Sequence, residues 1–258
     1  MVMIAKSLTR FHQTIQAMFS YLFLFRSHGG RLQSSGKEQA LNKQLKGYPR
    51  NHDYQVCGRI PCPGFRLYER LRLVKACYPD RFERYLDVGC CRGFYVLDAA
   101  RRRGVKAAIG IDVHKPFIDI SNRVKDYLRT NNVGFFNTSL KILAKEPEAF
   151  GGPFQVILLL GTYHYLFWGS QLCADAYYDH REIFSMLSKI CDGKLIISGR
   201  TELHRLPFYL KELAKYRSCV ANYNTAFFLK AAAEFFDIKR TGYLGAYPLY
   251  VMSKKMMA

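Results

Sequence analysis

The stretch Tyr85-Leu-Asp-Val-Gly-Cys-Cys-Arg-Gly93 decides the fold of this chain. It is typical of a short apolar strand that reaches Asp87 and then turns through Gly89 and Gly93 into a helix. Glycine has no Cβ, so it lets the main chain approach a ligand closely or adopt a positive φ. Since the first turn of a helix also has free N–H groups, the pattern predicts a binding site for an adenosine-type cofactor.

A second acidic residue comes at the end of the next predicted strand, Ala108-Ile-Gly-Ile-Asp112. Asp112 follows Gly93 by about 20 residues, the spacing that suits a ribose, because one carboxylate can accept hydrogen bonds from both hydroxyl groups. The alternative is that Asp112 caps the helix predicted to begin at Pro116.

The acidic residue inside the loop distinguishes between cofactors. A dinucleotide loop has the pattern G-x-G-x-x-G and holds a pyrophosphate at the helix N-terminus. Here the pattern is Asp87-x-Gly89-x-Cys91-x-Gly93, and a carboxylate repels a diphosphate and attracts a cation. S-adenosylmethionine carries an ammonium and a sulfonium and no phosphate. At these residues the chain resembles the class I S-adenosylmethionine-dependent methyltransferases, whose first motif is acid-x-Gly-x-Gly-x-Gly, with Cys91 in place of the middle glycine.

Strands and helices alternate in the second part of the chain, which predicts an α/β fold with a Rossmann-like, mostly parallel sheet. The last two predicted strands form a C-terminal antiparallel hairpin. We expect residues 1–79 to be a basic helical N-terminal extension with a linker over 27–53, and residues 80–258 to be the methyltransferase domain. The predicted strands are 85–88, 107–111, 133–136, 154–160, 194–198, 236–241 and 247–253. The predicted helices are 65–77, 94–103, 116–130, 140–150, 177–190, 206–216 and 225–235.

The chain is strongly basic, with 39 Lys and Arg against 20 Asp and Glu and a net charge of +19. Its hydrophobic content of 49% excludes a globally disordered chain. The charge favours an anionic partner, such as RNA, a membrane surface or an acidic substrate; charge that serves only solubility is the alternative. The eight cysteines show no zinc-binding spacing, and they predict reduced thiols in a cytoplasmic protein.

Apolar residues recur every three or four positions over residues 8–25, which predicts an amphipathic helix. The apolar stretch is shorter than the roughly 20 residues that span a bilayer, and no small-residue cleavage site follows it. Two interpretations stay open: a helix that docks on the protein, or peripheral membrane contact.

The resemblance implies a cofactor role for residues at the carboxyl ends of the strands, where ligands of parallel sheets bind. Asp87 would face the amino-acid end of the cofactor, and Asp112 would accept from the ribose hydroxyls. Thr138 would meet the adenine amine, unless this segment serves only to cap a helix at Ser139. The implied cofactor-binding residues are Asp87, Gly89, Cys91, Gly93, Asp112, Val113, Thr138 and Gly161.

The segment Gly161-Thr-Tyr-His-Tyr165 is implied to lie between methyl donor and acceptor. His164 is the predicted catalytic base, because the pKa of histidine suits proton transfer at neutral pH, and Tyr163 is predicted to act with it. Tyr165 would shape the acceptor pocket. The alternative is that His164 only packs, in which case positioning of the reactants supplies most of the rate.

A narrower resemblance connects Pro63-Gly-Phe-Arg66 and Tyr163-His164 with the wobble-uridine tRNA methyltransferase group. In that group an arginine upstream of the first strand belongs to the ligand pocket. Arg66 or Arg70 would have this role here, and a surface ion pair is the alternative for Arg66.

These observations predict an S-adenosylmethionine-dependent methyltransferase that acts on an oxygen of a small-molecule or lipid-like acceptor. The resemblance argues against amino-group methylation, because no Asn/Asp-Pro-Pro-Tyr/Phe motif follows the fourth strand. The first alternative is an RNA methyltransferase that binds tRNA through the basic N-terminal region. The second is a non-catalytic binding protein with the same fold, suggested by Cys91. The oligomeric state is left open.

Overall fold

The computed structural model describes residues 35–46, 52–173 and 175–255. The chain folds into two compact units. The first contains the described residues up to Ala76 together with Arg123–Arg129, and the second contains Cys77–Asn122 and the described residues from Thr130 onward. The amphipathic helix predicted over 8–25 lies outside the described residues. No helix in the described ranges combines the length and apolar character that crossing a membrane requires.

The first unit contains helix α1, a two-stranded hairpin and helix α2. The prediction of a linker over 27–53 was wrong where α1 forms, because the Ser35 hydroxyl accepts a hydrogen bond from the Glu38 N–H (3.2 Å) and caps the helix. The hairpin was not predicted; its two prolines, Pro61 and Pro63, lie in an edge strand, where a missing N–H is tolerated. The elements are α1 (Gly36–Leu45), β1 (Tyr54–Cys57), β2 (Ile60–Pro63) and α2 (Phe65–Lys75).

Two polar side chains of α1 hold the first unit together. The Asn42 amide donates to the Val56 carbonyl (2.9 Å) and accepts from the Val56 N–H (2.7 Å), so it pairs with β1 as a neighbouring strand would. The buried Glu38 carboxylate accepts from the Gly58 N–H (3.0 Å) and from the Tyr127 hydroxyl (2.8 Å). The bond to Tyr127 connects Arg123–Arg129 with α1 in this unit.

The second unit contains a seven-stranded sheet in the order β5-β4-β3-β6-β7-β9-β8. Strands β5 to β7 in this order are parallel, and β9 is antiparallel to both β7 and β8. The predicted α/β fold with its C-terminal antiparallel hairpin is confirmed. The strands are β3 (Arg84–Val88), β4 (Ala107–Asp112), β5 (Val133–Asn137), β6 (Phe154–Leu160), β7 (Cys191–Ser198), β8 (Phe236–Leu244) and β9 (Tyr247–Lys254).

The helices of this unit differ from their predicted bounds in ways that have local causes. The single helix predicted over 140–150 was wrong: α5 ends at Leu143 and a 3-10 turn follows over Pro147–Phe150, because proline has no N–H to continue a helix. Helix α7 begins only at His180, where Asp179 accepts from the Arg181 N–H (2.7 Å). The helices are α3 (Phe94–Ala100), α4 (Lys115–Leu128), α5 (Leu140–Leu143), α6 (Tyr163–Trp168), α7 (His180–Ile190), α8 (Phe208–Ala214) and α9 (Thr225–Ala233).

The strand order places a binding crevice at the carboxyl ends of β3 and β6. The chain runs from β3 outward through β4 to β5, and then returns to the other side of β3 as β6. Loops that leave β3 and β6 therefore diverge, and ligands of open parallel sheets bind where they do so. Six of the seven residues of β6 are buried, as expected for a central strand covered on both faces.

Candidate active site

The loop between β3 and α3 is fixed to the neighbouring strand. The N–H groups of Gly89 and Cys90 both donate to the Ile111 carbonyl, at 2.8 and 3.0 Å. The Gly93 N–H donates back to the Cys90 carbonyl at 2.9 Å. Gly89 and Gly93 each have φ +77°, and Cys91 between them has φ +51°. The loop is thus a tight turn in the left-handed region, held to β4 by its own backbone.

Packing within the protein explains both glycines of this loop. A Cβ on Gly89 would lie 2.3 Å from Oγ1 of Thr162, and a Cβ on Gly93 would lie 2.4 Å from Cζ of Phe135. Gly161, at the end of β6, is different: its φ is +72°, and a Cβ there would meet nothing within 4 Å. The backbone at Gly161 therefore faces open space.

Cys91 occupies the position where the resembled motif has glycine, and its backbone conformation is one that glycine favours. A left-handed conformation costs a non-glycine residue about 1–2 kcal/mol. One hydrogen bond helps to offset this cost: the Cys91 N–H donates to Oδ2 of Asp112 (2.9 Å). The Ser121 hydroxyl lies 3.4 Å from the Cys91 carbonyl but donates its proton mainly to the Phe117 carbonyl (2.8 Å). The Asp112 carboxylate thus helps to hold Cys91 in this conformation.

Asp112 ends β4 and accepts two backbone hydrogen bonds. Its Oδ2 accepts from the Cys91 N–H and its Oδ1 from the His114 N–H, each at 2.9 Å. The bond to His114 holds the segment before α4, but it does not cap the helix, because His114 precedes the first helical residue, Lys115. The ribose role of Asp112 stays a prediction. An ionised carboxylate has about four acceptor sites, so each oxygen keeps a lone pair for a ribose hydroxyl.

Asp87 and Asp112 form a pair of acids with raised pKa values. Burial raises the pKa of Asp87 to about 8, and the negative charge of Asp112 contributes to this rise. Burial also raises the pKa of Asp112, against the opposing effect of the His114 and Cys91 N–H groups. Among the described residues, neither carboxylate forms an ion pair with a lysine or arginine. Desolvated negative charge of this kind favours binding of a cation.

The segment after β5 carries the residues predicted to meet adenine. The Asn137 amide donates to the backbone carbonyl of Asp112 (2.9 Å), which joins the ends of β4 and β5. Ser139 occupies the N-cap position of α5 but makes no capping bond, and its hydroxyl donates to Oδ2 of Asp175 (2.9 Å). Thr138 is half-buried between them. Val113, also predicted to meet adenine, is half-buried between Asp112 and His114, and for both residues the adenine role stays a prediction.

His164 in α6 is fully buried, and its environment opposes protonation. Burial and the nearby Arg200 guanidinium lower the pKa of His164 to about 3. Nη1 of Arg200 lies 3.3 Å from Nε2 of His164. Because a guanidinium can only donate, Nε2 accepts this bond and the proton of the neutral ring is on Nδ1, which has no partner among the described residues. A nitrogen with this pKa is a poor proton acceptor at neutral pH, so catalysis by His164 stays a prediction that this geometry does not favour.

Tyr163, the second predicted catalytic residue, belongs to the aromatic core of the second unit. Its hydroxyl lies 2.5 Å from Nδ1 of His180, whose Nε2 lies 3.1 Å from the Asn222 carbonyl. That carbonyl requires a donor, so the His180 proton is on Nε2 and Tyr163 donates to Nδ1. The Tyr163 ring is fully buried and meets Phe228 edge to face, with ring centroids 4.8 Å apart. These contacts give Tyr163 a structural role.

Tyr165 lies beside His164, with ring centroids 4.0 Å apart, and is half-buried. Burial raises the pKa of Tyr209 in α8 and interaction with Tyr165 adds to this rise, while the positive charge of Arg200 opposes it. Sequence reasoning missed Arg200 and Tyr209. The only available signal was that Arg200 follows the end of β7 by two residues, on the edge where ligands bind.

Arg66 lies in α2 of the first unit, where its side chain is exposed. Arg70, one helical turn later, contributes with burial to lowering the pKa of His52 to about 4. Both residues belong to the first unit, and a ligand role for either one stays a prediction.

Comparison with solved structures shows what the chain is similar to. EvdMO1 is 15% identical over 87% of this chain and 49% of its own, with a TM-score of 0.51. The bifunctional kinase–methyltransferase WbdD is 17% identical over 83% of this chain and 46% of its own, with a TM-score of 0.54. A Listeria monocytogenes protein described as a candidate S-adenosylmethionine-dependent methyltransferase is 15% identical over 72% of this chain and 98% of its own, with a TM-score of 0.51. The chain spans about half the length of EvdMO1 and WbdD.

The chain has the class I methyltransferase fold. No protein-family profile and no curated protein matches its sequence. At these identities the comparisons show the fold alone, and the function has to be argued from the site.

Proposed function

We propose that this protein is an S-adenosylmethionine-dependent methyltransferase. The observation that carries the proposal is the pair of acids at the carboxyl ends of β3 and β4. Asp87 is buried with a pKa of about 8, next to Asp112, and neither has a lysine or arginine partner among the described residues. A bound sulfonium nucleoside would supply both the missing positive charge and an electrophilic methyl group.

The residues of the second unit suit this cofactor one by one. Asp87 would ionise fully and bind the ammonium, and Asp112 would use its remaining lone pairs for the ribose hydroxyls. The open space over Gly161 leaves room for the nucleoside against the backbone. The turn through Gly89, Cys91 and Gly93 would hold its position whether the site is filled or empty, because its own hydrogen bonds fix it.

We propose an oxygen atom of a small-molecule or lipid-like compound as the methyl acceptor, as the missing Asn/Asp-Pro-Pro-Tyr/Phe motif suggests. Attack of this oxygen on the methyl carbon breaks the carbon–sulfur bond and leaves a neutral thioether. An acceptor that starts as a hydroxyl passes its proton to water or to a nearby base, and one that starts as an oxyanion has no proton to lose. Since His164 has a pKa of about 3, alignment of the reactants would supply most of the rate.

RNA is the second candidate acceptor, favoured by the net charge of +19. The narrower resemblance to the wobble-uridine tRNA methyltransferases, through Arg66 and Tyr163-His164, points the same way. If RNA is the partner, affinity for mixed tRNA should fall steeply with salt, because each neutralised phosphate releases counterions. A weak and salt-independent interaction would remove this candidate.

Titration calorimetry with S-adenosylmethionine tests the proposed function. We expect binding by the wild-type protein and a loss of about tenfold or more in affinity, ~1.4 kcal/mol, for Asp87→Asn. Asp237→Asn is the matched control, because this exposed acid lies on β8 at the far edge of the sheet, and it should bind as the wild type does. Absence of binding heat in the wild type would refute the proposal. Binding without transfer of label to any fraction of a cell extract would instead favour the non-catalytic alternative.

A further inference from the structure

Arg200 carries a positive charge that no acidic side chain neutralises among the residues the structure describes. It follows β7 by two residues, and its side chain is half-buried. The Gly161 N–H donates to the Ser198 carbonyl (2.7 Å), which joins the ends of β6 and β7. Arg200 therefore lies on the same carboxyl edge of the sheet as Asp87 and Gly161.

The neighbours of Arg200 hold its guanidinium in place but leave most of its donors available. The guanidinium lies over the ring of Tyr247, 5.2 Å from the centroid, and its backbone carbonyl accepts from the Tyr223 hydroxyl. One of its five N–H groups points to Nε2 of His164. None of the others has an acceptor among the described residues, and none is buried without a partner.

The charge of this guanidinium affects nearby tyrosines. The charge of Arg200 acts on the hydroxyls of Tyr209 and Tyr223, in each case against the larger effect of burial. Tyr165 lies beside His164, with ring centroids 4.0 Å apart, and its interaction with Tyr209 adds to the rise in the pKa of Tyr209. Guanidinium and phenol groups together are donors for an oxyanion, and the planar guanidinium matches a carboxylate or a phosphate through two parallel hydrogen bonds.

We infer that Arg200 binds an anionic group of the methyl acceptor, a carboxylate or a phosphate. This inference rests on the proposed function and adds the chemical class of its acceptor. His164 is then a positioning residue: its neutral ring accepts from Nη1 and orients the guanidinium without adding a repelling or competing charge. His164 thus acts through Arg200, whereas Tyr163 belongs to the packed core.

Protection of Arg200 from phenylglyoxal, read for each arginine by mass spectrometry, tests the inference. Arg205 is an internal control, because it lies over the same Tyr247 ring (5.9 Å), is exposed, and uses Nη1 for the Ala246 carbonyl. With S-adenosylhomocysteine present, inorganic phosphate or acetate at about ten times its dissociation constant should slow modification of Arg200 about tenfold and leave Arg205 unchanged. Protection by only one of the two anions identifies the group. Equal protection of both arginines, no protection, or an unreactive Arg200 would overturn the inference.

Variants extend the test to catalysis. Arg200→Gln should bind S-adenosylmethionine as the wild type does but transfer label to its acceptor about 10 to 100 times less efficiently, mainly through KM. Arg205→Gln should behave as the wild type. Phosphate or acetate should protect Arg200 from phenylglyoxal better in His164→Asn, which keeps an acceptor atom, than in His164→Leu. A purely structural histidine would not produce this difference. Failure of the wild type to bind S-adenosylmethionine would count against the proposed function, whereas normal binding and transfer by Arg200→Gln would count against this inference alone.

Discussion

The carboxyl edge of the sheet has two halves of opposite charge. At the ends of β3 and β4 lie Asp87 and Asp112, and beyond the end of β7 lies Arg200 beside a neutral His164. Neither half is neutralised by an ion pair among the described residues. Since charge without a partner is costly in a partly buried place, Asp87 keeps its proton until a cation binds, and each half suits a ligand of the opposite sign: a cationic methyl donor on one side and an anionic acceptor on the other.

The largest effect should come from the loop of the acidic half. Gly93→Ala and Gly161→Ala meet similar backbone strain, with φ +77° and +72°, but only the first Cβ meets a neighbour, Phe135 at 2.4 Å. We expect Gly161→Ala to lower the free energy of unfolding by about 1–2 kcal/mol, and Gly93→Ala to lower it by about 1–3 kcal/mol more. Urea denaturation of both variants measures the difference.

The same pair separates folding from ligand binding. Gly161→Ala should fold and yet bind S-adenosylmethionine more weakly, because its methyl group enters the open space over the backbone. Equal stability of the two variants would mean that the packing of Gly93 against Phe135 is not as the structure has it.

Because the buried Asp87 must lose its proton, the ligand-free protein should become less stable as the pH rises. Its pKa is about 8 in the folded chain and 3.8 as a free side chain, so the folded state holds a proton that the unfolded state loses. The free energy of unfolding should fall between pH 4 and pH 8 by a few kcal/mol, because each tenfold difference in proton affinity between the two states corresponds to about 1.4 kcal/mol. Asp87→Asn should flatten this dependence while it weakens binding of S-adenosylmethionine. Stability curves of the two proteins that stay parallel from pH 4 to pH 8 would contradict a buried, protonated Asp87.

Sequence reasoning found the acidic half because its signals are local. Asp87, Gly89 and Gly93 lie in one loop, and Asp112 follows at a recognised spacing. The basic half comes together only through the strand order, which brings Arg200 to His164, 36 residues earlier in the chain. No local pattern marks an arginine of this kind, and a histidine close to tyrosines gives no indication in sequence that burial lowers its pKa.

Elsewhere, the misses also have identifiable causes. The β1–β2 hairpin was not predicted, because proline is rare in strands, although an edge strand tolerates it. Helix α1 was not predicted, because glycines and serines at its start are typical of a loop, although Ser35 caps the helix. For Gly93 the sequence left open close approach of a ligand or a positive φ; the structure has φ +77° there, and Phe135 occupies the space beside it. The sequence predicted the chemistry of residues that are close along the chain, but it did not predict contacts between residues that are far apart along it.

Tyr163→Phe tests whether the hydrogen-bonded pair of Tyr163 and His180 is structural. Removal of the hydroxyl leaves Nδ1 of the buried His180 without its donor, which should lower the free energy of unfolding by about 1–3 kcal/mol. Binding of S-adenosylmethionine and the rate of methyl transfer should stay within about twofold of the wild type. A large fall in transfer rate with stability unchanged would restore the catalytic role predicted from the sequence.

The smallest of the predicted effects concerns the pH–rate profile, in which titration of His164 should not be visible. Because its pKa in the folded protein is about 3, it stays neutral from pH 5.5 to pH 8, and the transfer rate should show no break near 6.5. Its lowered pKa instead costs stability as the pH falls from 6.5 towards 3, since the unfolded histidine takes up a proton first. A break near 6.5 that disappears in His164→Asn would show that this residue acts as the base.

Proton release on binding tests the central claim most directly. S-adenosylmethionine should be titrated into the protein at pH 7 in two phosphate-free buffers with different ionisation enthalpies, Hepes and Tris. If a buried Asp87 with a pKa of about 8 ionises to pair with the cation, close to one proton is released on binding, and Asp87→Asn releases none. Binding heats that do not depend on the buffer, or that depend on it equally in the variant, would contradict the account.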